Sequence, residues 1–289
     1  MKNRGVSFIL ISSFFYGTYG VWSRLMAGHF GEFSQAWTRG LFLLILIVLI
    51  NLKIRFFKPI KKKDFKWFLM IALAGGLNQA PYFFGFEHLS IGTATLLFYA
   101  ALVAGGYLIG KLVFNEKFTA VKIISLVLAV LGMLSIYQLT LSTRQILPAT
   151  FTIIAGLMGA TAAVLPKKLS GDYPELQIMS GYFLVMIVGN GLLSLVLNDP
   201  LPAFGVNTPW LAQLGYSVAL LLANLSVIEG FKHIDASVGS LVGLAEILIG
   251  ISFGVLLFGE IIGVGTIVGT VLIVMSAALP NIRFKGKFI

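Results

Sequence analysis

The sequence predicts an all-α membrane protein with ten transmembrane helices, arranged as two inverted repeats of five helices. Of its 289 residues, 58% are hydrophobic and only 11% are charged, whereas a soluble domain carries about 25% charged residues. The apolar residues occur in runs of about 20, the length that crosses a hydrocarbon core of about 30 Å as a helix. The alternating pattern of a membrane barrel is absent.

The first helix is predicted at 5–27. Lys2 and Arg4 precede this apolar run, as in a signal peptide, but the run is too long for a signal sequence and has no small-residue cleavage site. We therefore interpret it as a retained helix. Polar and Pro/Gly-rich breaks separate the remaining helices, which are predicted at 34–52, 66–86, 91–114, 119–137, 149–167, 175–198, 209–231, 236–258 and 262–280.

The connections between these helices are short, and even the longest, 53–66 and 138–148, cannot hold a separate domain. Basic residues are distributed unevenly over them. If both termini are cytoplasmic, 18 of the 21 Lys and Arg residues lie on the cytoplasmic side, and Arg24, Arg39 and Arg144 are the others. This bias is typical of cytoplasmic loops, and it explains the net charge of +10 without nucleic acid as a partner. We predict a multi-pass protein of a bacterial or archaeal cytoplasmic membrane, with both termini cytoplasmic.

The two halves of the chain resemble each other at two places. GFEHLSIGTATLL at 85–97 matches GFKHIDASVGSLV at 230–242, with an offset of 145 residues. LVFNEKFTA at 112–120 matches LLFGEIIGV at 256–264, with an offset of 144 residues. The nearly constant offset indicates an internal repeat.

The repeat divides the chain into 1–144 and 145–289, each with five predicted helices, which together form one transport domain. Because five is odd, the second copy must enter the membrane from the opposite side. The loop after the second helix has seven Lys and Arg residues, whereas its counterpart after the seventh has none. Inverted repeats are typical of alternating-access transporters, whose site lies near the midplane where the repeats meet.

These motifs resemble the drug/metabolite transporter superfamily, in its EamA-type branch. Members of that branch typically close the fourth helix of each repeat with glycine and glutamate; here this becomes KLVFNEK at 111–117, with Asn115 in place of the glycine, and VLLFGEI at 255–261. They often carry leucine, glutamate and proline in the ninth helix; here GLAEILIG at 243–250 has Glu246, with Ile247 where proline is common. The resemblance covers nearly the whole chain. It implies transport, commonly export of amino acids, metabolites or drugs.

Glu246 is the first candidate site residue, because it lies near mid-membrane in a long apolar run and Ala101 stands opposite it in the first repeat. An ionised carboxylate in lipid costs several kcal/mol, so Glu246 should face protein or a water-filled path. It either couples transport or contacts cargo, or else it only packs by hydrogen bonding. Small residues at helical spacing are predicted to share its face as a packing or cavity wall; they are Gly239, Gly243, Gly250 and Gly254.

Polar groups on the third and eighth helices are further candidates for substrate binding. Asn78, Gln79 and Tyr82 lie beside Pro81, which can kink a helix and free a backbone carbonyl. Asn224 lies in the corresponding helix of the second repeat, and the family resemblance places both helices near the repeat interface. The alternative is that these side chains only bridge helices.

Arg39 and Tyr99 complete the candidate set. A guanidinium can hold a cargo carboxylate in a bidentate pair, but Arg39 could equally reach the surface or pair with a buried acid. Tyr99 is expected to line the path. The aromatic side chains of the first helix are assigned to a lipid-facing belt or to the core, and they are Phe14, Phe15, Tyr16, Tyr19 and Trp22.

Four acids near predicted helix ends receive simpler interpretations. Glu87 and Glu229 are expected to be solvated. For Glu116 and Glu260, which follow the fourth helix of each repeat, hydrogen bonding at helix ends and loops is favoured over gating.

The leading functional prediction is a secondary transporter that exports a small amino-acid-like or drug-like solute. Transport is either coupled to protons or occurs by facilitated diffusion. It needs no cofactor and is not an enzyme. The alternatives are a sugar or nucleotide-sugar transporter, a membrane-embedded enzyme and a non-transporting subunit. No P-loop motif supports ATP-driven transport. Cysteine is absent and the three histidines are dispersed, so no metal site is predicted; these are His29, His88 and His233.

Overall fold

A computed structural model describes residues 2–137, 139 and 141–281, and within these ranges all regular elements are helices. Part of the predicted cytoplasmic charge, at Arg283, Lys285 and Lys287, lies outside the described residues. The α-helices are α1 (Lys2–Gly17), α2 (Tyr19–Met26), α3 (Glu32–Ile54), α4 (Phe65–Leu77), α5 (Gln79–His88), α6 (Ile91–Phe114), α7 (Ala120–Ile136), α8 (Ile146–Val164), α9 (Glu175–Val196), α10 (Thr208–His233), α11 (Ala236–Gly243), α12 (Ala245–Phe258) and α13 (Val264–Ala278).

Within the described residues, eight segments are helical, long and apolar enough to cross a membrane, and α7 is a shorter apolar helix. The all-helical membrane fold is therefore confirmed, but the predicted count of ten spans is not. The segment predicted at 66–86 divides into α4 and α5, which are 13 and 10 residues long. Helix α7 has only 17 residues.

Two helix interruptions have local causes. Between α1 and α2, the Thr18 hydroxyl donates to the Phe15 carbonyl at 2.6 Å, so the side chain satisfies a backbone group that the helix would otherwise use. Between α4 and α5, the chain turns at Asn78. Pro81 follows three residues later and has no N–H to donate to the carbonyl of Leu77. The predicted kink at Pro81 thus appears as a break just before it.

The closest helix pairs each join the first half of the chain to the second: α1 with α10, α3 with α9, α6 with α8 and α7 with α13. When each helix is exchanged for its counterpart in the predicted repeat, the pattern is preserved. The α3–α9 and α7–α13 pairs map onto themselves, and α6–α8 maps onto the observed pair of α12 with α1. The packing fits a two-fold repeat, whose inversion stays a prediction. The core lies between the two halves.

Candidate functional site

Glu246 lies beside a break in the ninth predicted helix. Helix α11 ends at Gly243, and α12 begins at Ala245. The Leu244 and Ile247 N–H groups donate three residues back, at 3.2 and 3.0 Å, which tightens the turn. Glu246 is therefore in the first turn of α12, where the helix dipole favours a negative charge. No proline is needed for this break.

Side chains of two other helices contact this break. The Ser13 hydroxyl of α1 donates to the Gly243 carbonyl at 3.2 Å, a backbone group left free where α11 ends. The Tyr99 side chain of α6 lies close enough to the Glu246 carboxylate to interact with it electrostatically. Glu246 itself is half-buried. The acid thus faces the interior of the helix bundle between α1 and α6 rather than lipid.

A first row of aromatic rings extends from Glu246 along α5 and α6. The Phe98 and Tyr99 ring centroids are 5.3 Å apart, Phe98 and Tyr82 are 4.2 Å apart, and Tyr82 and Phe86 are 4.6 Å apart. All four rings are half-buried. They form an amphipathic wall on which an apolar or aromatic solute can pack.

A second row of rings leads from Glu246 to Arg39. Tyr16 interacts electrostatically with Glu246, and its ring lies 5.2 Å from that of Tyr19. Tyr19 packs on Tyr216 at 4.3 Å, and the Arg39 guanidinium carbon lies 3.8 Å from the centre of the Tyr216 ring. This row joins α1, α2, α3 and α10. It places an acid and a base at opposite ends of a tyrosine-rich interior.

Arg39 is a buried cation without an acidic partner among the described residues. Only 2% of the residue is exposed, and its Nε and Nη1 atoms have no hydrogen-bond acceptor. The interaction with the Tyr216 ring is a cation–π contact, which stabilises a desolvated guanidinium by about 2 kcal/mol. A buried charge left unpaired costs more than that. Arg39 therefore has donors available for an anion.

The amide residues predicted for the site are distributed differently. Asn78 and Gln79 are half-buried at the α4–α5 break, and the Gln79 Oε1 atom has no hydrogen-bond donor. Asn224 is buried, and its Nδ2 donates to the Leu220 carbonyl of its own helix at 2.8 Å. The structure thus brings Tyr82 and Tyr99 towards Glu246, places Asn78 and Gln79 at a neighbouring break, and gives Asn224 a local contact.

The four glycines predicted as one face have separate surroundings, because the helix is interrupted between them. Gly239 lies against the Phe231 ring, and Gly254 lies against the Glu260 carboxylate. The nearest neighbour to a Cβ atom at Gly250 would be the Gly17 carbonyl oxygen, at 3.7 Å. A Cβ atom at Gly243 would have no neighbour within 4 Å. Gly243 therefore borders open space beside Glu246.

The sequence interpretation missed the second row of rings. It assigned Tyr16 and Tyr19 to a lipid belt or the core and did not single out Tyr182 or Tyr216. In the structure, these four tyrosines interact with one another between α1, α2, α9 and α10. The available signal was the hydroxyl group, since a phenol in the middle of a membrane helix normally has a polar partner.

A separate cavity of about 460 Å³ opens between α1, α12 and α13. Its lining is mostly apolar, with side chains such as Val6, Leu10 and Ile273, and it contains no titratable group. We therefore place the candidate site at Glu246 and Arg39. The part of the chain that the structure describes contains no cluster of three His, Asp or Glu residues able to hold a metal.

The EamA-like transporter family model matches the chain in two segments, residues 3–138 and 146–282. The chain belongs to this family. Two relatives from strains of Helicobacter pylori, each described as an uncharacterized transporter, are 22% identical over 95% of this chain and 93% of theirs. A solved crystal structure superposes with a TM-score of 0.81 over 97% of both chains, at 13% identity, which shows that the fold is shared.

As an EamA-like transporter, the protein is an integral, multi-pass membrane protein. It spans the lipid bilayer, and its substrate is a small molecule. The family resemblance inferred from the sequence is confirmed. The family matches cover both halves of the chain, and so they include Arg39, Tyr99, Tyr216 and Glu246.

Proposed function

We propose that this EamA-like protein is a secondary transporter that exports a small amino-acid-like or drug-like solute by alternating access. The observation that supports this most directly is the position of Glu246, in the first turn of an interrupted helix beside Tyr99. Broken helices form the substrate and ion sites of many transporters, because their free backbone groups can bind charged groups.

Glu246 can serve transport in two ways. A carboxyl group in a weakly solvated interior binds a proton more readily than one in water. It can therefore take up a proton from one side and release it to the other when access alternates. When ionised, it can instead hold the ammonium group of a cargo molecule. Both roles require ionisation, which a purely structural glutamate does not.

Arg39 supports a cargo that also carries a carboxylate. Its guanidinium is buried and has unpaired donors, and a guanidinium binds a carboxylate through two parallel hydrogen bonds. The tyrosines between Arg39 and Glu246 provide an aromatic surface for the middle of the molecule. A solute with an ammonium group, an apolar body and a carboxylate would match this order of groups.

The proposal is tested by measuring flux in proteoliposomes against a panel of amino acids, amines and sugars, with and without a pH gradient. We expect saturable transport of at least one amino acid or amine, and a lower rate for sugars. Inside-out vesicles from expressing cells test export, which should appear as uptake into the vesicles. Product formation in detergent, with no vectorial flux of any solute in the panel, would contradict the proposal.

A further inference from the structure

Helices α6 and α12, which are counterparts in the predicted repeat, end in the same local structure. Asn115 and Gly259 follow them in a left-handed conformation, with φ of 54° and 66°. The next residue is a glutamate whose N–H donates six residues back, from Glu116 to the Gly110 carbonyl at 2.9 Å and from Glu260 to the Gly254 carbonyl at 3.2 Å. Each carboxylate folds back over that glycine. Both glutamates therefore extend from matched helix ends.

The Glu116 carboxylate is bound to the start of α11. It accepts hydrogen bonds from the Ala236 N–H at 2.5 Å, the Ser237 N–H at 3.2 Å and the Ser237 hydroxyl at 2.7 Å. Lys122 adds an ion pair at 3.4 Å and also pairs with Asp235 at 3.0 Å. The Glu116 side chain is 6% exposed. This contact joins the end of α6 in the first half to the start of α11 in the second.

The Glu260 carboxylate has no such contact with the start of α6. It pairs with Arg24 of α2, and 48% of its side chain is exposed. The N–H groups that would receive it are those of Ile91 and Gly92, which align with Ala236 and Ser237 at the same offset of 145. Neither donates to a carboxylate among the described residues, and Ile91 is 72% exposed whereas Ala236 is 0% exposed. The two ends of the molecule therefore differ.

Helix packing differs in the same direction. Helix α11 packs closely against α6 near the Glu116 end, whereas α12 packs mainly on α1 and α2 and approaches α6 near the break, where Tyr99 lies beside Glu246. Ser240 in α11 is buried, but Thr95, its counterpart in α6, is half-buried. The molecule is thus closed at the Glu116 end and looser at the Glu260 end.

We propose that Glu116 and Glu260 act as alternating latches. In the conformation described here, Glu116 holds α11 against α6. In the opposite conformation, Glu116 leaves α11, and Glu260 leaves Arg24 to accept hydrogen bonds from the Ile91 and Gly92 N–H groups of α6. This inference goes beyond the proposed function, because it assigns the residues that stabilise each closed end, and it does not depend on the identity of the cargo.

The two latches should differ in strength. At the Glu116 end, Ser237 adds a hydroxyl donor and Lys122 adds a positive charge. At the Glu260 end, the aligned residues are Gly92, which has no side chain, and Thr266, which has no charge. Arg24 also competes for Glu260. Hydrogen bonds to either carboxylate are charge-assisted, but Glu116 has two contacts that Glu260 would lack, so the conformation closed by Glu116 should dominate at rest.

The test uses two repeat-equivalent cysteines as reporters in a chain that has no cysteine of its own. Ser240→Cys reports opening at the Glu116 end, and Thr95→Cys reports closing at the Glu260 end. Each is combined with Glu116→Gln, with Glu260→Gln or with both, and the rate of modification by a maleimide is measured on detergent-purified protein. Glu87→Gln, which changes an exposed acid outside both latches, is the control. A size-exclusion profile establishes that each variant is folded.

We expect Glu116→Gln to raise the modification rate at Ser240→Cys by at least about tenfold and to lower the rate at Thr95→Cys. Glu260→Gln alone should leave both rates near those of the parent, because Glu260 is not docked in the resting conformation. Adding Glu260→Gln to Glu116→Gln should restore the rate at Thr95→Cys, since the opposite latch is then also lost.

Three outcomes would overturn the inference. Unchanged modification rates in Glu116→Gln would mean that the Glu116 contact with α11 does not hold the closed end. A rise at both reporters would indicate local loosening rather than a switch. A double variant that behaves like Glu116→Gln alone would remove Glu260 from the mechanism.

If Glu116→Gln does not fold, Ser237→Ala replaces it. We then expect the modification rate to rise about threefold at Ser240→Cys and to fall at Thr95→Cys; no change would count against the latch. Failure of transport leaves these readouts intact, so the two proposals fail separately.

Discussion

At Glu246, titration and packing predict opposite results for a single substitution. Glu246→Gln is nearly isosteric and keeps the ability to form hydrogen bonds, but it cannot ionise. We expect normal expression, with flux reduced at least about tenfold or with its pH dependence removed. Flux in proteoliposomes at several pH values measures this.

The matched control is Glu87→Gln, which changes an exposed acid at the end of α5 and should transport at the parent rate. If Glu246→Gln retains both the rate and the pH profile of the parent, Glu246 is a packing residue. The site would then be sought at the α4–α5 break, where Asn78 and Gln79 lie.

A second residue-scale prediction concerns Arg39. Lysine keeps the charge but cannot make two parallel hydrogen bonds to a carboxylate. Arg39→Lys should therefore lower transport of a carboxylate-bearing solute at least about tenfold, while the corresponding amine, which lacks the carboxylate, is affected much less. Uptake of a matched pair such as an amino acid and its decarboxylated amine measures the difference. Equal losses for both would mean that Arg39 supports the fold rather than the cargo.

The sequence predicted part of this residue set. Glu246 and Arg39 are charges in apolar runs, and such residues are conspicuous in any membrane sequence. The tyrosines that connect them were not predicted, because Tyr19, which packs on Tyr16, meets Tyr216 across about two hundred residues of chain. The sequence alone does not distinguish a tyrosine in a lipid belt from one in the interior, because that distinction requires its packing partner.

At the scale of the helix, the break at Leu244 predicts unequal roles for glycines that share a sequence pattern. Gly243→Leu should project into open space beside Glu246 and reduce flux, with little effect on stability. Gly239→Leu should clash with the Phe231 ring and destabilise the protein by about 1–3 kcal/mol. Flux and thermal unfolding of the two variants separate these effects.

Val255→Leu is the control for added volume on α12, and it should retain flux. Transport by Gly243→Leu equal to that of Val255→Leu, at matched expression, would place Gly243 on a surface that cargo does not visit.

The sequence predicted where helices lie better than it predicted where they are interrupted. The break near Asn78 had a signal in Pro81, but the break at Leu244 had none, because Ile247 occupies the position where a proline would be expected. A tertiary partner is present instead: the Ser13 hydroxyl of α1, which is also 2.9 Å from the Ile9 carbonyl, lies 3.2 Å from the Gly243 carbonyl that an unbroken helix would use. Such a partner cannot be assigned from the sequence of the helix itself.

For the whole molecule, the distribution of charge predicts that the 53–66 loop is cytoplasmic and that 199–208 is external. Single cysteines test this with an impermeant label on intact cells. Thr208→Cys should be labelled, and Lys61→Cys should be protected until the membrane is permeabilised. Both positions are exposed, so access to the reagent is not limited by folding. The reverse labelling pattern would refute the predicted orientation, and labelling of both positions from the same side would refute the inversion.

The burial of Arg39 has a consequence for how the protein is made. The ring that covers its guanidinium belongs to Tyr216, which is synthesised 177 residues later. At roughly 5–20 residues per second, this delay is on the order of 10–35 s. During that time α3 is already complete while its charge has no covering ring. A nascent first half must therefore keep Arg39 hydrated, or in contact with the insertion machinery, until α10 arrives.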